Sequence, residues 1–305
     1  MDYIQTYFEC FKAAGIDTTL QIDRMRGSHV VERIKFDHIT HDGISIMTEM
    51  ARKYPSEGFS APTLLVRPRP SMGKRLLELL KWYVRHYPFM PPKWKEASRG
   101  KTKNANGRVC IENWKSSDQS VSVNTKLLLA LDQTSREHIT NPKPPRVWMT
   151  PVGMYTTISR DTPPKNRVSF IDIEVGNQST LADIQKSSRE QLTDLNYWGT
   201  ILTMALPNVL GKFLFKYVAK YTHLFFRRTG TLTNLGEWTI PGLADDEWWT
   251  FGEFSVAKMA PVAGSAIIVN GKLGLSVHFH PIVGFTDAEA QVFAEKWKEN
   301  FLKIS

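Results

Sequence analysis

The sequence predicts a mixed α/β fold, a largely antiparallel sheet sandwiched with helices. Three observations carry this expectation. From about residue 107 onward, strand-like and helix-like periodicities alternate. Asn270-Gly271 separates two apolar runs, the pattern of a two-residue hairpin turn between antiparallel neighbours. Hairpins mixed with helices, and the lack of either common Gly-rich phosphate loop, disfavour a doubly wound parallel sheet.

The elements follow in order. Residues 1–14 read as a helix with Tyr3, Tyr7, Phe8 and Phe11 on one broad face and Gly15 as its stop. The extended run 30–37 reads as a strand and the amphipathic stretch 43–53 as a helix. Pro55, Pro62, Pro68 and Pro70 make 54–71 irregular, because proline fixes φ and removes a backbone donor. Residues 72–87 form an amphipathic helix, with Leu76, Leu77, Leu80 and Trp82 apolar and Lys74, Arg75, Lys81 and Arg85 basic. A short strand at 107–113 precedes a helix at 121–138 rich in leucine, and the prolines within 141–145 break it. Strands are expected at 146–158 and 167–175, then a polar helix at 179–195 and a more apolar one at 196–221 interrupted by Pro207. The last strands are 249–257, 264–269 and 272–279. Thr286 to Glu289 is a capping box that opens a final helix, 287–302.

With 305 residues the chain has room for one large domain or two lobes. Cys10 and Cys110 form neither a disulfide framework nor a Cys-x-x-Cys pair, so a reducing, cytoplasmic setting is expected. The N-terminus has no basic region leading into an apolar core, and no apolar run is long enough to span a bilayer. The net charge of +9 is concentrated: residues 51–105 hold 13 Lys/Arg against 3 Glu. That surplus is either a solvated connecting segment or an attractor of phosphates and acidic lipid. Nucleic acid is not expected, since no recognised motif and no spaced aromatic platform is present. The helix 72–87 either lies on a membrane surface or packs on the protein's own core.

The stretch His38-Ile39-Thr40-His41-Asp42-Gly43 carries the most chemistry. A strand that ends in histidine, turns at Asp-Gly and enters a helix holds an imidazole rigidly, where a general base for acyl transfer can sit. The plain structural alternative is a strand-end histidine bonded to a backbone carbonyl. His41 competes as base. His278 and His280 share one face of a strand, but no carboxylate or thiol partner is evident. Asp37, His38, His41 and Asp42 can be drawn as a metal cluster only if the segment is helical, so no metal site is expected. No Gly-x-Ser-x-Gly elbow occurs.

Several features together resemble the coenzyme A-dependent acyltransferase superfamily, of the chloramphenicol acetyltransferase and condensation-domain type. His-x-x-x-Asp-Gly at 38–43 is one. Thr233-Asn234-Leu235-Gly236 is similar to the Ser-Asn-Leu-Gly stretch of that family's second lobe, and the hairpin-strand-helix ending also fits. Val123-Asn124-Thr125 at a helix start and segment 146–175 look most like the wax ester synthase/diacylglycerol acyltransferase branch. The resemblance implies chloramphenicol acetyltransferase-like lobes, acyl-CoA as co-substrate with no permanent cofactor, and an alcohol or acylglycerol acceptor. It implies His38 as base, Asp42 paired with an arginine (Arg160 being a candidate) and Gly43 relieving crowding. It also implies Asn124, Thr233 and Asn234 at the cofactor and oxyanion.

The pattern departs from the family in three places. Asp37 stands where the family has a first histidine, Thr125 replaces aspartate, and only 37 residues precede the motif. The resemblance therefore divides the chain into a remnant N-terminal lobe at 1–54, a basic Pro-rich linker at 55–106 and a C-terminal lobe at 107–305. It leaves open a homo-oligomer or partner that completes the site, and, as the alternative function, a non-catalytic or truncated binding and assembly module.

Overall fold

The computed structural model describes residues 3–63, 71–86, 94–95, 103–115, 120–139, 145–155, 157–225, 228–254 and 258–304. The order begins α1 (Tyr3–Ala13), β1 (Thr19–Arg26), β2 (His29–Asp37), α2 (Gly43–Ala51), α3 (Met72–His86) and β3 (Ala105–Ile111). It continues α4 (Val123–Ser135), β4 (Arg146–Gly153), β5 (Val168–Val175), α5 (Leu181–Thr193), α6 (Tyr197–Met204), α7 (Leu206–Leu210) and α8 (Lys212–Phe225). It ends β6 (Gly230–Trp238), β7 (Glu247–Glu253), β8 (Val262–Val269), β9 (Lys272–Phe279) and α9 (Asp287–Ile304).

Two sheets form, a six-stranded one in the order β3-β9-β8-β6-β4-β5 and a three-stranded one in the order β2-β1-β7. Pairing is antiparallel except where β6 runs parallel to both β4 and β8. The mixed, largely antiparallel α/β architecture is therefore the one observed. Asn270 (φ 48°) and Gly271 (φ 75°) both take the left-handed conformation that a tight hairpin between β8 and β9 requires. The final helix opens on the expected box, with Thr286 Oγ1 accepting from Glu289 N–H at 3.2 Å and Glu289 accepting from Thr286 N–H at 2.7 Å.

The six-stranded sheet is covered on both faces. One face packs Trp148, Leu275 and Val277 against Leu127 and Leu131 of α4, Ile184 of α5 and Trp297 of α9. The other packs Ile267 and Trp238 against Leu20 and Ile22 of β1, Ile46 and Met47 of α2, and Trp249 of β7. A Cβ at Gly274 would stand 2.0 Å from the Trp249 carbonyl, so β7 crosses β9 at a distance only glycine permits. A third, small cluster ties Cys10 and Phe11 of α1 to Phe215 and Ala219 of α8.

Two strands escaped the sequence reading, and one helix was drawn too long. β1 is buried on both faces: Leu20 and Ile22 meet apolar neighbours, while Gln21 and Asp23 are sealed in as polar groups. Asp23 is neutralised by Arg108 at 2.7 Å and Arg33 at 3.3 Å, so its charge does not mark a solvated face. β6 contains Gly230, Asn234 and Gly236 and forms a bulged strand with a register shift between Asn234 and Glu237. The stretch 196–221 is three helices, divided at Leu206-Pro207 and at Gly211 (φ 81°). The Trp82 side chain and residues 67–70, 87–93 and 96–102 of the basic stretch lie outside the described residues.

Asp132 and Arg146 are fully buried and paired twice, Nε to Oδ1 at 2.5 Å and Nη2 to Oδ2 at 2.8 Å, with Trp148 Nε1–H donating to Oδ1 at 2.9 Å. Asp132→Ala strands a buried guanidinium and should cost about 3–5 kcal/mol in urea unfolding.

Candidate active site

The site begins where β2 ends. Asp37 accepts from Lys12 of α1, from Thr18 Oγ1 at 2.9 Å and from Ile39 N–H at 3.0 Å. Burial opposes ionisation there, yet these donors hold its carboxyl below the usual range. The residue at the family's first histidine position thus ties α1 to the hairpin. His38 N–H donates to the Thr18 carbonyl at 2.8 Å, and the chain then turns into α2 with Asp42 as its N-cap.

The His38 ring is fixed on two sides. Its Nδ1 lies 2.7 Å from the His41 carbonyl, an acceptor only, and 3.2 Å from Asn166 Nδ2; the shorter contact assigns the proton to Nδ1. That leaves Nε2 as the basic nitrogen. Phe8 of α1 covers the ring at a centroid distance of 4.4 Å. Asn166 Nδ2–H donates to the His38 carbonyl at 2.5 Å and so locks the backbone behind the ring. Burial pushes the His38 pKa below the ordinary imidazole value, against the pull of the His41 carbonyl and of the charges on Asp42 and Asp37. The strand-end carbonyl bond of the plain structural alternative is therefore present, and it also sets the tautomer a base needs.

Asp42 is buried, and its carboxylate is saturated. It accepts from Ser45 N–H at 2.9 Å and from Arg167 N–H at 2.8 Å, and the Tyr155 hydroxyl lies 2.8 and 2.9 Å from its two oxygens, sharing its one proton between them and the Lys165 carbonyl at 2.7 Å. Burial and the Asp42 charge push the Tyr155 pKa strongly upward, so the phenol stays a donor. Arg160 does not pair with Asp42: its guanidinium binds the carbonyls of Arg52 at 2.9 Å and Tyr54 at 2.5 Å. A tyrosine and two backbone amides do the work expected of an arginine.

His41 is occupied at both nitrogens, by Thr40 Oγ1 at 2.8 Å and Glu49 Oε2 at 3.2 Å. Gly43 has a reason other than its turn. A Cβ there would stand 2.4 Å from Leu235 Cδ2, so the Asp-Gly of one motif is packed against the Thr-Asn-Leu-Gly of the other. Gly236, at φ 77°, makes the bulge, and Asn234 Oδ1 accepts its N–H at 2.9 Å.

These pieces enclose a cavity of about 460 Å³. His38, Asp42, Gly43, Asn124, Thr233 and Asn234 all line it. Apolar side chains dominate the rest, among them Phe11, Leu20, Met149, Phe170, Met204 and Phe251. The polar atoms that face no protein partner are informative. Asn124 Oδ1 and the hydroxyls of Thr231 and Thr233 are buried with no hydrogen bond. Leaving such groups unmade costs about 1–3 kcal/mol each, which a bound polar ligand would recover. Asn234 differs, because its oxygen is spent on the bulge.

Four contributors were missed in the sequence: Tyr155, Asn166, Thr231 and Arg228. Only Thr231 had a signal, since Thr231 and Thr233 sit two apart on a strand and share a face. Arg228, also on the cavity wall, is buried and pairs with Asp172 at 2.6 and 2.8 Å. Of the histidines near the C-terminus, His278 is buried, its pKa pushed down to about 3 by burial and by Arg108, and His280 Nδ1 accepts from Ile282 N–H at 3.1 Å. Among the described residues, no cluster of three or more His, Cys, Asp or Glu has the geometry of a metal site.

No protein-family model matches the chain, and no curated protein matches it. Solved structures do. A mutant starter condensation domain of rhizomide synthetase RzmA, in complex with C8-CoA and Leu-SNAC, is similar at a TM-score of 0.56 and 10% identity, over 89% of this chain and 65% of that one. A second mutant of that domain, in complex with C8-CoA, gives 0.54 at 10% identity, over 89% and 66%. A structure addressing condensation domain-mediated chain release from the enacyloxin polyketide synthase gives 0.53 at 12% identity, over 88% and 57%. The fold is thus that of the condensation domains, and this chain spans less than two thirds of the length of each of these three.

Asp42→Ala removes the N-cap and leaves the Arg167 and Ser45 amides without their side-chain acceptor, while the Tyr155 hydroxyl keeps the Lys165 carbonyl at 2.7 Å. It should destabilise the fold by about 3 kcal/mol, read as a lowered midpoint in chemical denaturation.

Proposed function

We propose that this protein transfers an acyl group from acyl-CoA to the hydroxyl of an alcohol or acylglycerol, in the manner of the wax ester synthase/diacylglycerol acyltransferase branch. The observation that carries this reading is an imidazole held through Nδ1 on the wall of a largely apolar cavity that also holds unpartnered hydroxyls. The cavity suits an acyl chain, and the hydroxyls suit the polar end of a reacting ester.

In this reaction His38 Nε2 takes the proton of the acceptor hydroxyl as its oxygen attacks the thioester carbonyl. The negative charge gathers on the former carbonyl oxygen, where the Thr231 and Thr233 hydroxyls donate. Collapse of the tetrahedral intermediate breaks the carbon–sulfur bond, and the imidazolium returns its proton to the departing thiolate. No covalent enzyme intermediate is involved. Asn124 helps orient the cofactor end, and Asp42, Tyr155 and Asn166 hold the base without touching substrate. The basic segment 67–103 would attract the cofactor's phosphates. A second copy that completes the site remains part of the proposal.

The test is release of free coenzyme A thiol from acyl-CoA of several chain lengths in the presence of a pool of alcohols. Acceptor-dependent release should fall by at least about 100-fold in His38→Ala, while its circular dichroism stays that of the wild type. Wild-type turnover in that variant would sink the assignment. No release from folded wild-type protein would favour the binding-module alternative.

The pH profile supplies a separate check. A depressed histidine stays neutral, and so basic, as the pH falls past the ordinary value of 6.5. The acidic limb of kcat/KM should therefore lie below 6.5. An acidic limb at or above that value would exclude His38 in its buried setting as the titrating base.

A further inference from the structure

The cavity wall formed by α8 has a second side. Phe215 and Ala219 are buried against α1, whereas Phe213, Leu214 and Tyr217 point the other way at 100° per residue. Phe213 is 77% exposed, and Val209 of the preceding helix is 80% exposed. Single exposed apolar residues need no explanation, but a contiguous run of them on adjoining helices marks a contact surface.

The charge on this face is one-sided. Lys212, Lys216 and Lys220 recur every fourth residue along one edge of the apolar stripe, and residues 206–225 hold no Asp or Glu. Lys212 shares its charge with Glu9 of α1 at 2.8 Å, so the net sign stays positive. Lysines flanking an apolar helix face match an anionic lipid surface, because their stems lie along the apolar boundary while their ammonium groups reach phosphates. A second copy is the poorer match: a two-fold contact would bring one lysine edge against another. No helix among the described residues is long and apolar enough to cross a membrane, so the geometry is one of lying on the surface.

The same helix reaches the cavity. Phe215 and Val218 line it, and Val218 is also 43% exposed, so the cavity wall comes to the molecular surface at α8. We propose that the exposed face of α7–α8 seats on an anionic bilayer and sets the cavity at the lipid surface, so that an apolar chain enters without crossing water. This goes beyond the acyl-transfer reading, since vesicle binding is measured without turnover. It also differs from attachment through 72–87: α3 exposes Leu76, Leu77 and Leu80, and none of its described side chains lines the cavity.

The experiment is flotation of the full chain with phosphatidylcholine vesicles, with and without phosphatidylglycerol. The wild type should float with the anionic vesicles and lose this in high salt. The double variant Val209→Asp/Phe213→Asp should bind about tenfold or more weakly, because two side chains no longer enter the bilayer. Lys216→Glu should weaken binding at low salt only, and Leu77→Asp should bind as the wild type. All these positions are exposed, and circular dichroism confirms that each variant is folded. Three results would overturn the proposal: wild type that stays with the protein fraction, a double variant that floats unchanged, or binding lost through Leu77→Asp alone. Light scattering adds a fourth: a wild-type dimer made monomeric by the double variant would mean that a second copy covers this face. Thiol release by the same preparations keeps a failure of docking distinct from a failure of the acyl-transfer reading.

Discussion

A carboxylate taken out of water must be fully supplied with donors, and Asp42 sets that requirement at the centre of this structure. Its donors come from the first turn of α2, from Tyr155 after β4 and from Arg167 before β5. Satisfying one side chain therefore joins the hairpin end to the edge of the six-stranded sheet. Asn166 joins them a second time, through the His38 carbonyl. The imidazole stands between these ties, with its tautomer decided by the same turn. Preorganisation of this kind lets a weak base act from one fixed place, without an ordering cost at each turnover.

The two recognisable motifs meet because β6 runs parallel to both its neighbours in the middle of an otherwise antiparallel sheet. That placement brings Thr231, Thr233 and Leu235 to one cavity and packs Leu235 into the space Gly43 leaves open. The glycine of one motif and the leucine of the other are thus parts of a single contact. Neither stretch, read alone, says why its residue is needed.

How much of this was legible depends on what each residue answers to. Local signals survived folding: Asn270-Gly271 and the Thr286–Glu289 box act within a few residues and appear where the sequence puts them. The six candidate site residues line one cavity. Long-range compensation was not legible. The strand β1 went unread, and the buried Asp23 within it is neutralised by Arg108, 85 residues on. The Asp42 partner read as an arginine, because a tyrosine hydroxyl and two amides fill that place with no pattern to announce them. Tyr155 and Asn166 act from irregular segments, where neither periodicity nor capping rules apply.

The three-stranded sheet carries a consequence for how the chain comes into being. β1 has β2 on one side, its close neighbour in the chain, and β7 on the other, with Arg24 opposite Trp249. During synthesis the hairpin emerges early, while its second partner is still more than 200 residues away. At about 5–20 residues per second, that edge stays open for on the order of ten to forty seconds. An open strand edge with Leu20 and Ile22 uncovered invites pairing with other nascent chains. Gln21 and Asp23, bonded to each other and buried in the finished fold, lie on the opposite face of that strand. A charge beside an open edge is the kind of feature that guards an unfinished strand against such pairing.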